Sequence, residues 1–98
     1  MEYAIKPSQF FLQRADELSS EAAKLIENKL KLAKINPFRY KRILGYKLFL
    51  FRIRFEDGRK EKRIVYLVDK SYIKVLCILD SDKEYKDLKK YLKKLGYI

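Results

Sequence analysis

Two short runs decide how this chain folds: Phe51-Arg52-Ile53-Arg54 and Arg63-Ile64-Val65-Tyr66. Both alternate with the period of a β-strand, in which successive side chains point to opposite faces. Extended outward, the first run puts Phe49, Phe51, Ile53 and Phe55 on one face and Leu48, Leu50, Arg52 and Arg54 on the other. In the second run Ile64, Tyr66 and Val68 join the apolar face, and Arg63, Val65 and Leu67 lie opposite. Asp57-Gly58 between them is a hairpin turn signal, so residues 48–55 and 62–68 are predicted to pair antiparallel. Such a sheet has one core face and one face bearing arginines. Arginine stays charged and presents a planar fork of donors that matches phosphate oxygens.

The rest of the chain assembles around this hairpin. Tyr3-Ala4-Ile5 reads as a first strand that Pro7 ends, since proline has no ladder donor. Ser8 is an N-cap for a short helix over residues 10–18. Ser19 or Ser20 recaps a longer helix whose buried stripe is Ala22, Ile26, Leu30 and Ala33, and Asn36-Pro37 stops it. A basic connector with Arg39, Lys41 and Arg42 leads through Leu44-Gly45 into the hairpin. After the turn Asp69-Lys70-Ser71 a third long strand covers residues 72–79, and a helix over residues 82–95 closes the chain. Its apolar stripe is Tyr85, Leu88, Tyr91, Leu92 and Leu95, and its other face is rich in lysine. The order is β-α-α-β-β-β-α. It predicts a single α+β domain over residues 1–98: an antiparallel sheet, an N-terminal helical hairpin and a C-terminal helix, the helices packed on one face.

Composition narrows the chemistry. The 98 residues suffice for one modest core, and 48% hydrophobic content supports a folded chain. The net charge of +11 points to a polyanion or an acidic protein partner. With no histidine, the commonest acid–base group and metal ligand is missing. The single cysteine, Cys77, lies in the apolar run Val75–Leu79 and reads as a small buried hydrophobe. One cysteine builds neither an internal disulfide nor a zinc site, so no metal and no cofactor are expected. No signal peptide or membrane-length apolar run is visible, which predicts a cytoplasmic protein.

The element order, Asn36-Pro37 after the helical hairpin, Leu44-Gly45 before the long strand, Arg52-Ile53-Arg54, Arg63-Ile64-Val65-Tyr66 and Tyr85 after the last strand together resemble the RelE/ParE superfamily of toxins from type II toxin–antitoxin systems. The resemblance spans nearly the whole chain. It implies a RelE-like, microbial-ribonuclease-like fold. It also implies ribosome-dependent endoribonuclease activity (an mRNA interferase that cuts messenger RNA in the ribosomal A site), ribosome binding, inhibition of translation, and a cognate acidic antitoxin. On this reading Arg52, Arg54, Arg63, Lys83 and Tyr85 are the candidate catalytic residues, and Lys47, Lys62, Lys86 and Lys90 the candidate RNA-binding ones. The sequence departs from the family at Ser81, where the ribonucleases carry an arginine, and Lys83 is the nearest alternative source of positive charge.

Each residue also has a structural reading. Arg52 and Arg54 can pair with Glu56 or Glu61 on an exposed sheet face, and Tyr85 can belong to the core. Ser81-Asp82-Lys83-Glu84 is a capping box, with Ser81 as N-cap and Glu84 at the third helical position. Two other functions stay open: a ParE-like toxin that poisons DNA gyrase, and a catalytically disabled RNA- or ribosome-binding relative. The fold does not separate them, because one scaffold hosts several functions.

Overall fold

The computed structural model describes residues 2–80 and 85–98. Its elements are β1 (Ala4–Pro7), α1 (Gln9–Ala15), α2 (Ser20–Ile35), β2 (Lys41–Ile43), β3 (Leu50–Asp57), β4 (Lys60–Asp69), β5 (Tyr72–Asp80) and α3 (Lys86–Lys94). The sheet order is β1-β5-β4-β3-β2. The α+β class and the predicted element order hold, with one strand added. β2 falls in the basic connector and pairs with β3 through Lys41↔Arg52, Arg42↔Phe51 and Ile43↔Leu50. Three residues are too few to show a period, so only the pairing reveals it.

The helix starts follow the serines. Ser8 accepts from the Phe11 N–H, and its hydroxyl donates to the Leu76 carbonyl, using both capacities of one side chain. Ser19 accepts from the Ala22 N–H at 3.1 Å and caps α2. The predicted stripe of Ala22, Ile26, Leu30 and Ala33 is the buried face of α2. Gly58 takes φ 66° at the hairpin turn, a region a side chain makes costly, and the register closes on Asp57↔Lys60.

Two expectations are corrected. The sheet is mixed: β1 pairs parallel with β5, in the register Ala4↔Tyr72 to Pro7↔Val75, while the other pairs are antiparallel. The helices lie on both faces. α1 and α2 cover Phe51, Ile53, Phe55, Ile64, Tyr66, Val68, Ile73, Val75 and Ile78. α3 seals a second core of Ile43, Leu50, Val65, Leu67, Leu76, Cys77 and Leu79 with Leu88 and Leu92. The reason lies in the strands. Leu50, Val65 and Leu67 share the face of the arginines, and that apolar half needs a cover of its own. A register shift between Val65 and Tyr66 puts both Leu76 and Cys77 into this second core.

α3 begins at Lys86 with Tyr85 as its N-cap residue, and Tyr85 makes no side-chain cap bond. The predicted capping box at Ser81–Glu84 lies outside the described residues. Among the described residues no helix is long and apolar enough to cross a membrane.

Candidate functional site

Three arginines emerge where α3 stops covering its face of the sheet. The β3–β4 register sets Arg54 opposite Arg63 and Arg52 opposite Val65, so all three point to one side. Like charges directly across a strand pair repel and weaken a sheet. The surroundings relieve this only in part. Arg54 Nε lies 3.7 Å from Glu61 Oε1, but both side chains are exposed, and such a pair is worth roughly 0–1 kcal/mol. The Arg63 guanidinium sits 5.3 Å from the centroid of the Tyr85 ring, a cation–π contact. Arg63 Nε is buried and has no hydrogen-bond partner among the described residues. Arg52 is only 9% exposed and forms no ion pair among them. A buried donor without an acceptor costs about 1–3 kcal/mol. Among the described residues the cluster thus presents donors without acceptors, the chemistry that an anion's oxygens complement.

The other candidates scatter. Lys62 points to the opposite face, where its Nζ lies 3.6 Å from Asp80 Oδ1, an oxygen that also takes Arg14 Nη2 at 3.3 Å. It is engaged in a structural triad, away from the arginine cluster. Lys47 lies before β3, in a small cleft with Phe49, Val68, Asp69 and Tyr97 at the other end of the sheet. Lys86 and Lys90 are exposed on α3, with Lys86 directly after Tyr85. Ser81 and Lys83 lie outside the described residues. The arrangement thus brings together Arg52, Arg54, Arg63 and Tyr85 and leaves Lys47 and Lys62 apart.

The structure adds three cations that the sequence reading gave no site role, Lys29, Arg39 and Lys41. Lys29 from α2, Arg39, Tyr40 and Lys41 from the connector, and Arg52, Ile53 and Arg54 from β3 line a cleft of about 450 Å³ at the β2 edge of the sheet. The basic connector was a visible signal for Arg39 and Lys41. Lys29 gave none, because a lysine off the buried stripe of a helix reads as solvated surface.

Titratable groups in the cores are spoken for. Burial pushes the Cys77 thiol up to about 12, which fits a packing residue. Burial likewise raises the phenols of Tyr66 and Tyr40 above their ordinary value. Tyr66 donates to the Pro37 carbonyl, and Tyr40 donates to the Lys29 carbonyl at 3.2 Å. Among the described residues no group of three or more acidic, cysteine or histidine side chains could hold a metal.

No family model and no curated protein sequence matches the chain. Solved structures do. An E. coli toxin RelE carrying two arginine-to-alanine substitutions, in the free state, superposes with a TM-score of 0.79 at 17% identity, over 98% of this chain and 99% of that one. The isolated E. coli RelE toxin gives 0.70 at 17% identity, over 95% and 98%. A chain of the intact E. coli RelBE toxin–antitoxin complex gives 0.68 at 18% identity, over 80% and 95%. From its first strand to its last helix, the chain has the RelE toxin fold.

Proposed function

We propose that this chain is the toxin of a type II toxin–antitoxin pair and acts as a ribosome-dependent endoribonuclease that cuts messenger RNA in the A site. The observation that carries the reading is the buried Arg63 Nε, without a hydrogen-bond partner among the described residues, beside Arg52, Arg54 and Tyr85 on one face of the sheet. A phosphodiester supplies the missing acceptors.

In the proposed reaction a ribose 2′-oxygen attacks the adjacent phosphorus and the bond to the 5′-oxygen breaks. The products are a cyclic phosphate and a free 5′-hydroxyl, the leaving 5′-oxygen taking its proton from water. Negative charge grows on the non-bridging oxygens, where Arg63 and its two neighbours stabilise it; fixed donors of this kind are worth most where water is excluded. Arginine does not serve as the base, because it stays protonated. Glu61, held beside Arg54, is the carboxylate placed to take the hydroxyl proton. Tyr85 offers its ring to a base, the usual way single-stranded RNA is held. Action on ribosomes places the protein in the cytoplasm.

The antitoxin is proposed as an acidic segment that orders on binding. The charge of +11 favours an acidic partner, and Leu25, Leu32 and Ile35 along α2 are large apolar side chains left 41–65% exposed.

Primer extension on programmed ribosomes tests the nuclease reading, with the chain as it stands, Arg63→Gln and Ser81→Arg. A-site cleavage that Arg63→Gln abolishes supports it. Absence of cleavage by both the unaltered chain and Ser81→Arg removes it. Cleavage by Ser81→Arg alone marks a site intact except at that position, in a chain that binds its target without cutting it.

A further inference from the structure

The cleft at the β2 edge presents five cationic side chains: Lys29, Arg39, Lys41, Arg52 and Arg54. Among the described residues no carboxylate lines it. Its volume of about 450 Å³ falls within the usual range of ligand sites, yet its lining is basic where such sites are mostly apolar. Its walls come from three separate parts of the chain: α2, the connector and β3. Tyr40 is held in place by donating to the Lys29 carbonyl, which ties the connector wall to the helix wall. Like charges brought together this way repel one another, and beyond the weak exposed pair of Arg54 with Glu61 a counter-charge entering the cleft would relieve them. Nothing in the proposed chemistry at Arg63 and Tyr85 uses Lys29, Arg39 or Lys41.

The cleft is continuous with the sheet-face cluster. Arg54 belongs to both: it lines the cleft and stands opposite Arg63. Lys41 stands opposite Arg52 on the neighbouring strand. The step from β4 to β2 is two strand spacings, roughly 10 Å, so one extended polyanion crossing the strands would meet both groups.

We propose that this edge cleft is a second phosphate subsite. It grips the backbone of single-stranded RNA beside the nucleotide held at Arg63 and Tyr85, and lets the free toxin bind RNA without the ribosome. Lys29, Arg39 and Lys41 act there as phosphate-binding residues, with no part in bond cleavage. The proposal rests on RNA being the substrate, and it predicts a grip indifferent to sequence, since phosphate contacts read no base.

The test is fluorescence anisotropy of labelled 12-nucleotide oligo-U and oligo-A with the purified full chain, titrated from low to moderate salt. The proteins are the unaltered chain and Lys29→Gln/Arg39→Gln, with thermal melting to show that both are folded. The plot of log affinity against log salt loses about 0.7 in slope for each phosphate contact removed from a single strand. The double variant is expected to bind both oligonucleotides more weakly, by a similar factor, with a slope shallower by about 1.4. An unchanged affinity and slope in a folded double variant overturns the proposal, as does a loss confined to one sequence. The A-site cleavage assay reports separately. Cleavage with an unchanged salt slope leaves the nuclease reading standing and removes the subsite. A shallower slope without cleavage keeps the subsite and removes the nuclease.

Discussion

Replacing Arg63 with methionine should make the protein more stable and less active. The Arg63 Nε is buried and unpartnered among the described residues, which costs about 1–3 kcal/mol. Methionine keeps an unbranched stem of similar reach and has no donor to leave unpaired. The substitution gives up the cation–π contact with Tyr85, at 5.3 Å from the ring centroid, worth about 0.5–1 kcal/mol at a partly exposed site. It also removes one of two positive charges set opposite each other across β3 and β4. The net gain is about 1 kcal/mol. For a domain of this size that is roughly 4–8 °C in Tm. Losing one donor to the developing oxyanion should lower the cleavage rate roughly 10²–10³-fold. Calorimetry gives the first quantity and primer extension on programmed ribosomes the second. Arg54→Met is the control: Arg54 is exposed, its pair with Glu61 is weak, and Tm should move by only about 0.5 kcal/mol equivalent. If Arg63→Met melts at or below the unaltered chain, Arg63 is a structural residue, and the inference from its unpartnered nitrogen to a phosphate is wrong.

Tyr66→Phe should lower stability by about 1–3 kcal/mol, because it strands the buried Pro37 carbonyl; urea unfolding with an unchanged m-value measures it. Leu88→Ala should cost about 2–5 kcal/mol, since Leu88 is fully buried under the second core, and unfolding by heat reads the loss. Stability should fall above pH 9. The buried Cys77 thiol is raised from 9.0 to about 12, so its contribution is complete below 9.0 and is lost as pH climbs toward 12, at about 1 kcal/mol per pH unit. Cys77→Ala should flatten the slope of stability between pH 9 and 10, before Tyr66 adds its own loss above 10.0; a slope identical in both proteins would exclude the thiol as its source.

What could be read directly from the sequence was whatever depends on local rules. The serines at 8 and 19 cap their helices because a hydroxyl before an apolar stripe satisfies a free N–H wherever the helix later docks. The stripe of Ala22, Ile26, Leu30 and Ala33 and the alternation along β3 and β4 follow from the periods of helix and strand. That alternation alone put Arg52, Arg54 and Arg63 on one face. The short β2 was hidden because three residues show no period and a strand is defined by its partner.

Tertiary structure decided matters of distance between segments far apart in the chain. It set α3 on the arginine face, because Leu50, Val65 and Leu67 there needed a cover. It paired Lys62, which the strand period already sends to the face opposite Arg63, with Asp80 beside Arg14, and left Lys47 at the far end of the sheet. It brought Lys29 to Arg39 and Lys41, across a helix end and a turn that carry no mark of the meeting. Sequence periods assign a side chain to a face. Which faces meet, and which charges are then left buried without a partner, depends on how the whole chain packs.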